Sequence, residues 1–202
     1  MTRNNLPNEG LSCNLTSVND LFVYHIHGQP KGISRWVEHP DTFQLQVAGL
    51  VKHSLKLTLD DIRNNFTSVS QIAILQCMTG VHWGRVCMEG PTLLEVLRSA
   101  GVDKDAKKVA FTGGEGFTTD LELEWIRDHA DSFLLAYKMN HKPLTREHGY
   151  PVRLTARGKY GYKWCKWLTK IEVLGYDYKG YYENVRGWSD QADRGQPVTP
   201  NA

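Results

Sequence analysis

The run from Ile72 to Gly90, IAILQCMTGVHWGRVCMEG, constrains this chain more than any other stretch. Val69, Ile72, Ile74 and Leu75 make an apolar segment rich in β-branched residues that reads as a buried strand, and Thr79 and Gly80 end it. Cys77 is thereby delivered on rigid backbone to the mouth of a loop, where binding and catalytic groups concentrate. The stretch alone leaves two readings of Cys77 open. One is a soft thiolate that ligates a transition metal or acts as a nucleophile; the other is a small buried hydrophobe, the commoner role of a free cysteine.

The rest of the chain is that of one globular domain: 202 residues, 41% hydrophobic, are enough for a substantial single core. The formal charge of +2, from 24 basic and 22 acidic side chains, gives no electrostatic footprint for nucleic acid. Cys13, Cys77, Cys87 and Cys165 are widely spaced and match no zinc or disulfide pattern. No apolar run approaches the about 18 residues of a membrane span, and MTRNNLPNEG has no signal-peptide core. The chain is therefore expected to be cytoplasmic, or periplasmic if an export signal has been removed from it.

Residues 1–18 read as a polar arm, 19–190 as the domain and 191–202 as a polar, disordered tail. Leu21 to Ile26 reads as a short strand, which would put His25 and His27 on one face and Tyr24 and Ile26 on the other. Residues 31–41 read as loop. Residues 42–59 alternate about Gly49 and predict a hairpin, followed by a short helix in LDDIRNNF. His82 to Gly90 reads as a loop carrying Trp83, Arg85 and Cys87. A helix is expected from Pro91 to Ala100, punctuated by Gly101. Strands are expected at 107–112 and 133–139, with a short helix over 120–129 between them. Downstream, Arg153 follows Pro151 in a strand, and Lys159, Lys163 and Lys166 gather around Gly158 and Gly161. Such residues can cradle phosphate, but a solvated lysine loop before the strand WLTKIEV is the simpler reading.

Taken together, LQCMTG after a strand, LAYKMNHKPLTREHGYPVRL and KYGYKWCKWLTKIEV resemble the molybdopterin-binding domain of the sulfite oxidase family, over residues 17 to 190. The resemblance implies an α+β single domain of mixed β-sheets with short helices. It also implies a molybdenum-molybdopterin cofactor whose one protein ligand to the metal is Cys77, a ligand type that suits such a metal. Family contacts to the pterin phosphate map onto His148, Arg153, Trp164, Cys165 and Lys166. The segment that meets the cofactor near the metal maps onto Val23 to His27, so Tyr24, His25 and His27 join the site, and His27 matches the family histidine. Gly113 stands where family members place Thr or Asp.

Departures from the family pattern narrow the chemistry. Sulfite-oxidising members carry Arg-Asn-His where this chain has His25-Ile26-His27, so the anion-binding arginine is missing, with protonated His25 as the available substitute. The active-site tyrosine has no counterpart in GFTTDLELEW, and no CxxCH haem motif is present. The expectation is oxygen-atom transfer to or from a small substrate, a sulfoxide, N-oxide, sulfite or other oxyanion, with electrons exchanged with a separate protein. Cys77, His25 and His27 are the catalytic candidates, and Trp83 and Arg85 join the histidines as candidates for the substrate side. Cys165 is expected to pack rather than ligate; Cys87 is weighed as a redox or auxiliary ligand. The alternative is a catalytically inactive cofactor carrier. Oligomeric state is not legible.

Overall fold

In the computed structural model, which describes residues 14–199, three β-sheets share one apolar core. The expected hairpin forms from β1 (Leu45–Gly49) and β2 (Leu55–Leu57), because Leu45 and Val47 alternate inward while Gln46 faces solvent. β1 also pairs in parallel with β11 (Leu168–Leu174), and β5 (Lys108–Gly113) and β6 (Thr118–Glu122) complete a five-stranded sheet in the order β2-β1-β11-β5-β6. The four-stranded sheet, β3-β4-β8-β9, is dominated by the long antiparallel pair β3 (Ser68–Gln76) and β4 (Trp83–Pro91), with β8 (Lys138–Met139) and β9 (Lys142–Pro143) at its edge. β7 (Phe133–Ala136) pairs with β10 (Arg153–Ala156) in the third sheet.

Five short helices pack around the sheets. α2 (Leu59–Asn64) starts in a reciprocal cap: the Thr58 hydroxyl accepts from the Asp61 amide, and the Asp61 carboxylate accepts from the Thr58 amide. α3 (Leu93–Ala100) is capped by Thr92 and ends at Gly101 in the left-handed region, as the sequence predicts. α4 (Leu123–Asp128) occupies only part of the expected 120–129 helix, because Asp120 and Leu121 are taken by β6. α5 (Tyr181–Arg186) is the last. Among the described residues no helix is long and apolar enough to cross a membrane.

Five local expectations are overturned. Residues 21–26 form no strand; they lie irregularly across the downstream block. Residues 31–41 are not loop: α1 (Ile33–Glu38) forms there because Ile33 is buried and Trp36 packs edge-on against Phe43 at 5.5 Å. The supposed loop 82–90 is β4, in register with β3 from Gln76↔Trp83 onward. Its inward positions Gly84, Val86, Met88 and Gly90 do alternate, but two of the four are glycines and the signal is faint. The lysine loop is not solvated: Lys159 and Lys163 are fully buried. The tail also packs as far as it is described, since Ala192 and Val198 are buried and the Ser189 amide donates to the Val198 carbonyl. Most of the arm, and Cys13 with it, lies outside the described residues.

Candidate active site

β3 presents Cys77 one residue past its end. A tight turn follows, in which the Cys77 amide donates to the His82 carbonyl at 2.8 Å and the Gly80 amide donates to the Cys77 carbonyl at 3.0 Å. Both strands of the hairpin hold that turn, and the partly exposed cysteine opens onto a cleft of about 410 Å³.

The buried end of the cleft is a cationic clamp. Arg153, the first residue of β10, is 3% exposed. Its guanidinium donates to the carbonyls of His148 at 3.0 Å and Trp164 at 3.3 Å, while Nε is buried without a partner. Burial lowers its pKa to about 10, which still leaves it charged at neutral pH. Lys166 donates to the Tyr24 carbonyl (2.8 Å), His25 Nδ1 (2.8 Å) and the Glu147 carbonyl (3.1 Å), pinning the irregular segment 21–26 over the clamp. Burial and then the charge of Arg153 pull Lys166 down to about 7 and His148 down to about 4, so His148 is neutral. The backbone makes room for the clamp at Gly149, whose φ of +101° belongs to the left-handed region and where a Cβ would lie 3.1 Å from the Cβ atoms of both Arg153 and Lys166.

Glu115 sits in the same cleft with a buried Oε2 that has no partner. Desolvation raises its carboxyl to about 7, with Lys166 opposing the shift. The glycines on either side of it are the only trace it leaves in the sequence.

The remaining wall comes from α5 and the strap after it. Tyr182, Arg186 and Trp188 line the cleft, with Trp188 stacked on Tyr182 at 4.2 Å and 6°. This strap is fastened by buried lysines. Lys163 pairs with Glu183 at 2.5 Å and Asp120 at 3.4 Å; Lys108 pairs with Asp120 at 3.0 Å, Asp177 at 2.7 Å and Asp190; Lys159 donates to Asp193 at 2.6 Å. Burial alone would lower the pKa of Lys108, but its carboxylate partners outweigh that and hold it above the ordinary lysine value.

Of the residues singled out from the sequence, Tyr24, His25, Cys77, His148, Arg153, Trp164 and Lys166 converge on this cleft. His27 does not line it and instead meets the Tyr181 ring edge-on at 5.1 Å. Cys165 is fully buried outside the lining, its thiol directed at the Lys166 carbonyl and its pKa pushed well up by burial. Gly113 also stands outside the lining, tight beneath the clamp: a Cβ there would lie 2.7 Å from the Lys166 carbonyl, so the Thr or Asp of the family pattern does not fit this backbone. Exposed Trp83 and half-buried Arg85 lie on β4 outside the lining. Cys87 pairs with Ile72 in the hairpin, five residues or roughly 16 Å along the strand from Cys77, beside Glu89 and His141, and is no auxiliary ligand to the same centre. His25 is held neutral, its pKa lowered by burial and then by Lys166, so it does not replace the missing arginine.

The profile of the oxidoreductase molybdopterin binding domain matches residues 32–182. The uncharacterized oxidoreductase YuiH of Bacillus subtilis is 33% identical over 164 residues, covering 77% of this chain and 80% of that protein. NADH nitrate reductase of Spinacia oleracea is 31% identical over 77% of this chain, and mitochondrial sulfite oxidase of Drosophila melanogaster 28% identical over 78%. This chain spans 19% of the nitrate reductase and 32% of the sulfite oxidase. The crystal structure of the sulfane dehydrogenase SoxCD from Paracoccus pantotrophus shares the fold with a TM-score of 0.64 and 23% identity, covering 71% of this chain and 41% of that one. A cysteine at a strand end facing a buried, unneutralised cationic clamp, within a profile match over most of the chain, places this protein in the molybdopterin-binding oxidoreductase family that includes sulfite oxidases and nitrate reductases.

Proposed function

We propose that this chain moves one oxygen atom to or from a small substrate at a molybdenum-molybdopterin centre, and that it exchanges electrons with a separate partner protein. The observation that carries this reading is Arg153: a buried guanidinium with no carboxylate partner among the described residues and an orphaned Nε, facing the same cleft as Lys166 and Cys77. An uncompensated buried charge is expensive, and the phosphate of a bound pterin would compensate it.

The residues present fit that group. When bound, the cofactor supplies the two-electron change that accompanies gain or loss of an oxygen atom. Cys77 is its protein ligand in this reading, losing its thiol proton on coordination. Arg153 and Lys166 hold the phosphate, with the planar fork of the arginine fixing its orientation. Neutral His148 adds no charge there: its Nε2 donates to the Val18 carbonyl at 3.3 Å, and its own carbonyl accepts from Arg153. Because Lys166 donates to Nδ1 of His25, that ring carries its proton on Nε2 and offers it as a donor. The segment around Tyr24 and the strap around Trp188 wall the cleft and limit the entry of water.

The test is molybdenum per polypeptide by elemental mass spectrometry, with fluorescence of the oxidised pterin, on protein expressed with molybdate. The wild type is expected to carry near-stoichiometric metal. Cys77→Ala is expected to lose metal and keep pterin, whereas Arg153→Ala is expected to lose both. A wild type free of metal and pterin, from a host that makes the cofactor, overturns the reading.

A further inference from the structure

We infer that Arg186 selects the substrate, and that the substrate is a small organic anion whose carboxylate or sulfonate rests on this guanidinium while its apolar body lies on the aromatic wall beside it. The inference rests on the function proposed above and adds the substrate class. Four observations lead to it.

The first is position. Arg153 and Lys166 occupy the buried end of the cleft, whereas Arg186 is exposed and lines its open end. Tyr182 and Arg186 are four residues apart on α5 and so share one helical face, and both line the cleft along with Cys77 and Met78.

The second is availability of charge. Among the described residues no hydrogen bond or ion pair occupies the Arg186 guanidinium, since the acidic groups nearest it in sequence, Glu183 and Asp190, are taken by Lys163, Lys108 and Lys179. His25 brings no competing charge, because its Nδ1 is the acceptor of the Lys166 ammonium at 2.8 Å. An arginine fork suits a planar carboxylate or a sulfonate, which it can hold through two parallel hydrogen bonds.

The third is the surroundings. Phe22, Ile26, Met78, Tyr182 and Trp188 line the same cleft as Arg186, and Tyr182 and Trp188 stack face to face in that lining. A bare inorganic oxyanion would leave that wall uncovered, while an anion with an apolar body covers it.

The fourth is where these residues lie in the chain. The family profile ends at Tyr182 and begins at Gly32, so Phe22, Ile26, Arg186 and Trp188 all fall outside it. The cofactor clamp and Tyr182 lie inside the matched region, whereas Arg186 and Trp188 lie just beyond its end.

The experiment is isothermal titration of the purified holoenzyme with para-(methylsulfonyl)benzoate and with neutral methyl phenyl sulfone, two unreactive analogues that differ by one carboxylate, with sulfate as a third titrant. Molybdenum and pterin are measured on the same sample. The benzoate is expected to bind roughly tenfold more tightly than the neutral sulfone, as for a hydrogen bond to a charged group, and more tightly than sulfate. Arg186→Gln is expected to erase the preference, Arg186→Lys to keep part of it, and Arg127→Gln on α4 to leave it intact. In a sample loaded with metal and pterin, equal binding of the two sulfones, a preference that survives Arg186→Gln, or sulfate binding as tightly as the benzoate overturns the role of Arg186 alone. A sample without metal and pterin overturns the function on which the inference rests.

Discussion

Arg153 and Glu115 set opposite demands on the same cleft. The first is a buried cation with no carboxylate partner among the described residues; the second is a carboxyl whose buried Oε2 has none of its hydrogen bonds satisfied. Glu115 is raised to about 7 from an ordinary 4.5, so the folded protein binds its proton more tightly than the unfolded chain. Its contribution to stability is whole below pH 4.5 and is lost as pH rises through 7. Glu115→Gln is therefore expected to raise the stability of the cofactor-free protein at pH 8 by on the order of 1–2 kcal/mol after solvent screening, with little change at pH 4. Thermal melts of both proteins across that range check it; an equal shift at both ends rules out Glu115 as the source. Residues of this kind are where sequence reading fails. Cys77 is legible because an apolar run stops at turn residues, and Arg153 is legible as a basic residue near glycines. The burial that turns Arg153 from a surface charge into a clamp comes from the pairing of β10 with β7 and from Trp164, whose ring and carbonyl face the guanidinium, contacts that no local pattern announces. Glu115 between its glycines gives no sign of facing Lys166.

At the level of elements, strands and helices with regular patterning were readable: β1 and β2 by alternation, α3 by its cap and its glycine, β11 by its apolar run. Those missed owe their shape to tertiary partners. β4 looked like a loop because two of its four inward positions are glycines, and segment 21–26 looked like a strand although its conformation is fixed by Lys166 donating to the Tyr24 carbonyl. α5 is the most consequential omission, since Tyr182, Arg186 and Trp188 reach the cleft only because Lys108 and Lys163 hold carboxylates from 177–190 across the end of the five-stranded sheet. Asp190 receives Lys108 and Lys179 directly and lies 3.5 Å from Lys163. Asp190→Asn removes the charge at that junction and leaves two buried ammonium groups undercompensated, at a cost of about 2–4 kcal/mol. Hydrogen exchange is the appropriate measurement. Amides of α5 and of residues 188–198 are expected to lose protection well before those of β3 and β4, and uniform loss across the molecule would show that the strap does not open as a separate unit.

Over the whole molecule, the cleft is built from parts of the chain that share no local structure: segment 22–26, the turn at 77–79, the glycine-flanked Glu115, the block 148–167 and the strap 182–188. The apolar core holds the sheets in place, and these five segments line one cleft, with the cations Arg153 and Lys166 among them. Under the function proposed above, an anionic cofactor in that cleft would touch all five and neutralise the clamp, and so would be a structural component as well as a chemical one. Any group bound only by the native state stabilises it by mass action, about 4 kcal/mol when present at a thousand times its Kd. For a domain of this size that corresponds to a rise in Tm of roughly 8–16 °C. Calorimetry on loaded wild type against protein made without molybdopterin synthesis should show a rise of that order. Lys166→Met, which removes one of the two cations and releases the Tyr24 carbonyl and His25, should lose most of it. If the loaded and empty proteins melt together, the five segments are fixed by the core alone, and the cationic clamp is a feature the fold tolerates without help from a bound anion.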